Sequence, residues 1–146
     1  MLNKNGFTLT EVLIVIAILG IVLAIAAPNF TRYRDNANLR EAARDVSSDI
    51  QLYKQRAIAE NTNYEISFSG NNYTITKGAT TVATKTVGAN NAYIKISESY
   101  PTGKIELDTR GMLKPSGELK LKHSKRGSEA TITTSLTGRV SVTYAY

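Results

Sequence analysis

Between Phe7 and Ala27 the chain carries a single charge, Glu11, in an otherwise apolar run. At about 1.5 Å of rise per residue, this stretch makes a helix of roughly 31 Å, the thickness of a bilayer's hydrocarbon core. The run can therefore span a membrane. A carboxylate inside such a helix costs about 2.5–3.5 kcal/mol on insertion scales, so Glu11 requires an explanation. It lies only a turn or so inside the helix and can reach the interface without a partner. Alternatively, with no partner expected in its own helix, it meets a positive charge on another molecule. A conventional secretory signal peptide competes for the same stretch, because Ala24-Ile25-Ala26 has the small residues of a cleavage site and Lys4 gives a weakly positive start. The run is longer than the usual apolar region of such a signal, and a helical pattern continues after it.

Pro28 closes the apolar run, and Gly20 is the other weak helix former within it. Both are expected as helix breaks, since proline lacks an amide hydrogen and clashes with the preceding turn. Beyond Pro28, Leu39, Ala43, Val46, Ile50, Tyr53 and Ala57 recur at spacings of three and four and predict one buried stripe on an amphipathic helix. Arg40 and Arg44 lie four apart beside an acidic row of Glu41, Asp45 and Asp49. Either Glu41 and Arg44 compensate each other on a solvated face, or these rows meet opposite rows on neighbouring molecules. Asn61-Thr62-Asn63 is expected to end the helix.

From Tyr64 the period becomes two. Tyr64, Ile66 and Phe68, then Tyr73 and Ile75, alternate with polar residues around Gly70-Asn71-Asn72 and predict a hairpin. Thr80 to Val87 predicts a third strand, and short strands follow around Ile94, Ile105, Leu119, Ile132 and Val142, separated by turns containing Gly and Pro. The expected fold class is α+β: a long N-terminal helix, membrane-spanning in its first half and amphipathic in its second, packed on an antiparallel sheet or sandwich. The expected divisions are a leader at 1–6, a transmembrane and assembly helix at 7–28, an amphipathic helix at 29–61 and a β-rich domain at 62–146.

The chain has no cysteine, which excludes disulfides, thiolate metal sites and a cysteine nucleophile. His123, the sole histidine, lies between Lys122 and Ser124 and is expected at the surface, without the partners that a metal site or a catalytic base needs. Glu106 and Asp108 share a strand face, as a solvated acidic pair commonly does. The chain reads as a non-enzyme with no cofactor. Lys4 is the only charge before Phe7, so its removal takes the formal net charge from +6 to +5. From Arg110 to the C-terminus, seven basic residues stand against Glu118 and Glu129. Lys120 and Lys122 on one strand face, Lys125 and Arg126 in the next turn, and Arg139 form a candidate polyanion or DNA site. The competing reading is a solubilising surface or a subunit contact.

Lys4-Asn5-Gly6-Phe7-Thr8-Leu9-Thr10-Glu11 resembles the class III signal sequence of type IV pilins and type II secretion pseudopilins. The resemblance implies cleavage by a prepilin peptidase between Gly6 and Phe7, with methylation of the new amine on Phe7. It also implies that Glu11 pairs with the N-terminal amine of a neighbouring subunit, and that the stretch between Gly20 and Pro28 can lose helicity on packing. Implied partners are other pilin or pseudopilin subunits, the prepilin peptidase, an inner-membrane assembly platform and the membrane itself. The implied location is the inner membrane as a single pass, with the C-terminal domain outside the cytoplasm, and then a pilus or pseudopilus. Lys54 to Asn61, Glu106 to Gly111 and Thr137 to Val142 resemble the GspH/FimT-type branch of minor pilins and pseudopilins, though this chain has no tryptophan. Some members of that branch take up DNA through a Gly-Arg pair followed by a second arginine. Gly138-Arg139-Val140-Ser141 keeps the first arginine and has serine at the second.

Overall fold

The structure is a computed structural model that describes residues 7–146. One helix, α1 (Leu9–Ala59), precedes nine strands: β1 (Tyr64–Ser69), β2 (Asn72–Lys77), β3 (Thr80–Thr86), β4 (Ile94–Glu98), β5 (Lys104–Leu107), β6 (Leu113–Lys114), β7 (Gly117–His123), β8 (Glu129–Thr134) and β9 (Val140–Ala145). The chain divides into two compact units between Arg34 and Asp35, with α1 contributing residues to each.

In the first unit α1 is apolar and its described side chains are exposed from Leu9 to Ala27. Its most apolar window has a mean hydropathy of 2.8, long and apolar enough to cross a membrane. α1 passes through Gly20 and Pro28 without interruption, so the break expected at these residues is absent from this structure. A proline removes one amide donor from the ladder at a cost of about 3 kcal/mol. The loss is local and the turns on both sides are intact. Just past it, the Asn29 side-chain amide donates to the Ile25 carbonyl at 3.3 Å.

In the second unit the predicted stripe is buried: Leu39, Ala43, Val46, Ile50 and Ala57 are at most 1% exposed and Tyr53 is 6% exposed. It forms one core with residues of two antiparallel sheets. The first sheet has strand order β3-β2-β1-β5-β6 and the second β4-β7-β8-β9. In β1 and β2 the alternating Tyr64, Ile66, Tyr73 and Ile75 point inward, with Ile66 opposite Ile75. Asn71, in the turn between these strands, fastens the two sheets together. Its amide donates to the carbonyls of Val87 and Ile94 at 2.7 and 3.1 Å, and its oxygen accepts from the Ile96 amide at 3.0 Å.

α1 ends where Asn61 takes a left-handed φ of 46°. The Thr62 amide bonds to the Ala57 carbonyl at 3.1 Å and the Asn61 amide to the Ile58 carbonyl at 3.3 Å, the two bonds of a Schellman cap. Glu60 accepts from Tyr64 Oη at 2.7 Å and from Lys77 Nζ at 2.5 Å, tying the helix end to the first hairpin.

Two turns close over this end of α1. A Cβ at Gly138 (φ +81°) would lie 2.0 Å from the Gly111 carbonyl oxygen, and one at Gly111 (φ +78°) would lie 2.9 Å from Ile58 Cδ1. Lys54 Nζ donates to the Gly138 carbonyl at 2.8 Å. Gly138→Ala therefore has to separate the two turns, whereas a Cβ at Gly127 (φ +75°) meets open space. Gly127→Ala is expected to cost about 1 kcal/mol, the backbone penalty alone. Gly138→Ala should cost at least about 3 kcal/mol, a steric clash added to that penalty. Urea unfolding of the full chain in detergent, followed by tyrosine near-UV dichroism, compares them.

The ion pair at the helix end generates a pH prediction. Bonds from Lys77 and then Tyr64 lower the Glu60 carboxyl below its ordinary 4.5, and the bond to Glu60 raises the Lys77 ammonium above its ordinary 10.5. Glu60 thus contributes stability that is present above its ordinary value and lost as pH falls through its lowered one. Lys77 contributes stability that is present below 10.5 and lost as pH rises through its raised value. Glu60→Gln should flatten the acid limb of a stability-against-pH curve below pH 4.5. An unchanged acid limb refutes the coupling.

Candidate functional site

Of the residues expected to direct processing and assembly, Gly6 lies outside the described residues and Phe7 is exposed. Glu11 differs from expectation. The Thr8 amide and hydroxyl both donate to Glu11 Oε2, at 2.8 and 2.9 Å, and the Glu11 amide donates back to Thr8 Oγ1 at 3.3 Å. This is a capping box: Thr8 is the N-cap, and Glu11 at the third helical position satisfies donors that the first turn leaves open. The carboxylate has a partner in its own helix, contrary to the sequence expectation, and Thr8 gives its hydroxyl to Glu11 instead of to a helix carbonyl. The Thr-x-x-Glu spacing was the signal that sequence reasoning missed. Both bonds use Oε2, and Oε1 accepts none from the described residues.

The five basic residues proposed as a polyanion site do not form one patch. Lys120 pairs with Glu98 at 2.8 Å and Arg126 with Asp35 at 2.9 Å. Lys125 lies over the Tyr93 ring, 4.0 Å from its centroid. Lys122 shares the outward face of β7 with Lys120 and stands between Lys95 of β4 and Glu129 of β8. Arg139 follows Gly138 in the turn joining β8 to β9, at the far end of β8 from the turn that holds Lys125 and Arg126. A six-residue strand separates those turns by about 20 Å.

His123 is buried, at 1% exposure, and the expected surface position is incorrect. It ends β7 on the inward side of the alternation that buries Leu119 and Leu121, so strand period overrides its charged neighbours. Its Nε2 lies 3.8 Å from Asp35 Oδ1, and Tyr93 packs against its ring. Among the described residues no group of three or more His, Cys, Asp or Glu side chains could hold a metal ion.

The acidic row of α1 is divided by burial. Asp49 is buried, accepts from Tyr73 Oη at 2.5 Å and binds Lys85 Nζ through both oxygens at 2.8 Å. Burial, and then the bond to Asp49, pushes the Tyr73 phenol well up, so it remains a donor. Glu41 and Asp45 are exposed on the same wall of a groove of about 330 Å³ whose other side is the loop after β3, including Val87, Asn90 and Asn91. The Glu41–Arg44 compensation considered from sequence does not form among the described residues. Arg40 instead lies over the rings of Tyr144 and Tyr146 and bonds to the Tyr146 hydroxyl.

The three later stretches that carried the branch resemblance converge at the end of α1. Lys54 and Ile58 come from the first, Gly111 from the second and Gly138 from the third, within the contacts described above.

Residues 1–27 match the prokaryotic N-terminal methylation motif. The chain is similar to pilin-like proteins over part of its length. It is 35% identical over 78 residues to prepilin peptidase-dependent protein A of Clostridium perfringens, covering 50% of this chain and 56% of that one. It is 31% identical over 80 residues to competence protein ComGD of Bacillus subtilis, covering 55% and 56% respectively. The chain therefore spans about half the length of the curated relatives it matches. Its fold resembles the Pseudomonas aeruginosa type IV minor pilin FimU, with a TM-score of 0.61 at 16% identity, over 76% of this chain and 92% of that one. One long N-terminal helix packed on antiparallel sheets is thus the arrangement in this chain as expected.

Proposed function

We propose that this chain is a structural subunit, a minor pilin or pseudopilin, of a type IV pilus or a type II secretion pseudopilus. Prepilin peptidase cuts it between Gly6 and Phe7 and methylates Phe7; α1 holds it in the inner membrane with the second unit outside the cytoplasm, and then packs among other subunits on an assembly platform. The observation that carries this reading is the methylation motif at the head of a helix whose apolar residues are exposed from Leu9 to Ala27. Apolar surface of that extent requires a lipid or protein environment. The role is structural, not enzymatic. With its basic residues divided between ion pairs and two distant turns, the chain suits subunit contacts better than a continuous track for DNA.

Glu11 takes two roles in sequence. Its Oε2 caps the helix through Thr8, and the cap survives cleavage because the Thr8 amide is retained when Phe7 becomes the first residue. Its Oε1 is left for the N-terminal amine of the next subunit. A charge that is partly satisfied at home is cheaper to hold in lipid than a bare one.

Coexpression with a prepilin peptidase should yield a product that begins at N-methylated Phe7, and replacing Gly6 by a bulkier residue should slow or block the cut. Intact mass spectrometry reads the start directly. A mature N-terminus at Ala27 or Pro28 would falsify the processing scheme in favour of a conventional signal peptide.

The two roles of Glu11 separate by substitution. Glu11→Val should leave membrane insertion intact and lower incorporation into filaments. Glu11→Gln keeps a capping side chain but no negative charge, so it should incorporate as poorly as Glu11→Val if the amine pairing is what counts. Incorporation of both variants at the level of the unsubstituted chain, measured in sheared filament fractions, removes the role assigned to the charge.

A further inference from the structure

The turn between β7 and β8 gathers positive charge that its own surroundings leave unmatched. Lys95 of β4 stands directly opposite Lys122 of β7, both exposed, and like charges in that register repel. Lys125 stands in the turn itself, its ammonium over the ring of Tyr93, which is 44% exposed. The Ser124 amide bonds to the Tyr93 carbonyl at 2.8 Å, so the turn and the residue ahead of β4 form one surface. Among the described residues no carboxylate lies within ion-pair distance of Lys95, Lys122 or Lys125. Glu129 stands opposite Lys122 without pairing with it, and Arg126 bonds to Asp35.

We propose that this turn docks on the anionic headgroups of a phospholipid bilayer, with Lys95, Lys122 and Lys125 on the phosphates and Tyr93 among the headgroups. The inference rests on the membrane-anchored reading and deepens it by naming the part of the second unit that meets lipid. Three features favour a bilayer as the occupant. The first is reach. Asp35 bonds to Arg126 and Asn36 to Ser128, so the turn is fastened to the first residues of the second unit. Asp35 lies eight residues beyond Ala27, the last of the apolar run, and eight residues span at most about 29 Å in any conformation. The second is the chemistry of that connection, where Phe30, Arg32, Tyr33 and Arg34 are exposed, aromatic and basic residues of the kind that settle at a membrane–water boundary. The third is charge. Each lysine beside an anionic bilayer favours the docked state by about fivefold, and a point charge on a flexible stem suits headgroups that offer no fixed geometry for paired bonds. A polynucleotide needs a longer track of cations, and the next basic residue along β7, Lys120, is paired with Glu98.

The test uses the absence of cysteine from the chain. In the full-length chain Ser124→Cys, at an exposed position of the turn, is labelled with a fluorophore. The chain is reconstituted into vesicles of phosphatidylcholine alone or mixed with phosphatidylglycerol. Both vesicles contain a lipid with a nitroxide on its headgroup, so that quenching reads the ratio of docked to free turn. Thr137→Cys, labelled in the same way in the turn at the other end of β8, is the control. Quenching in the lysine turn should be strong only with phosphatidylglycerol and should weaken as salt screens the headgroups. Lys122→Gln should lower the docked-to-free ratio by about fivefold. The control label should be indifferent to lipid composition. The lipid and salt comparisons need no lysine substitution, so they decide the matter even where Lys122→Gln disturbs the fold. Equal quenching of the turn in both vesicles, or the same rise at the control label, overturns the docking and leaves the membrane anchor standing. Equal quenching together with a change in the turn label on adding duplex DNA assigns the lysines to a polynucleotide and overturns it too. A chain that floats with neither vesicle overturns the membrane-anchored reading as well.

Discussion

The buried stripe of α1 from Leu39 to Ala57 is the constraint on which the second unit depends. Each sheet has an apolar side that needs covering, and a single helix face meets both, joining them into one core. An isolated helix of this composition is marginal in water, because tertiary packing, not propensity, supplies most of a helix's stability. A two-residue strand such as β6 has no independent stability either. Helix and sheets are therefore mutually conditional. Polar contacts along the same helix then fix its register: Asp35 with Arg126, Asn36 with Ser128, Asp49 with Tyr73 and Lys85, and Lys54 with Gly138. These bonds reach both sheets, so sliding α1 by one turn breaks all of them together.

The first part of α1 obeys the opposite rule. Its apolar residues surround the helix without a stripe, so no soluble core can be their destination. Glu11 would conflict with that pattern if it were bare. The Thr8 cap changes its status, because the carboxylate sits where the helix's first turn has amides to satisfy and where the helix dipole favours negative charge. The same residue is thus tolerable in a membrane helix and still has an oxygen to offer. A capping glutamate and an assembly glutamate are compatible assignments.

Periodicity made most of the fold legible. The six residues of the helical stripe, the first hairpin and the third strand lie where spacing placed them, since buried positions must repeat at 3.6 or 2.0 residues whatever their partners. β6 was not legible because Leu113 and Lys114 are too few to show a period. His123 was misplaced because its neighbours in sequence are charged while its strand face is apolar, and alternation decides such cases. The candidate polyanion residues are divided for a related reason. Proximity in sequence joined Arg126 to Arg139, but an antiparallel strand carries its two turns to opposite ends of the sheet. Partners distant in sequence, such as Asp35 for Arg126 and Glu98 for Lys120, then claim the charges. The uninterrupted course of α1 through Pro28 differs again: a propensity of about 3 kcal/mol is large for one residue but small beside the intact turns around it.

The glycines of the two closing turns illustrate how local backbone choices determine where charge is displayed. Gly138 is required because a Cβ there would meet a carbonyl oxygen, and Gly111 because one there would meet Ile58. Neither glycine has chemistry of its own, yet the contact between them sets the spacing of Arg110 and Arg139. The clustering of resemblance around Lys54, Gly111 and Gly138 therefore does not by itself distinguish a binding motif from a packing motif. In this chain the packing role is visible in the contacts, and Ser141 stands where the resemblance implies a second arginine. A surface built in this way presents two cations on meeting turns instead of a basic track.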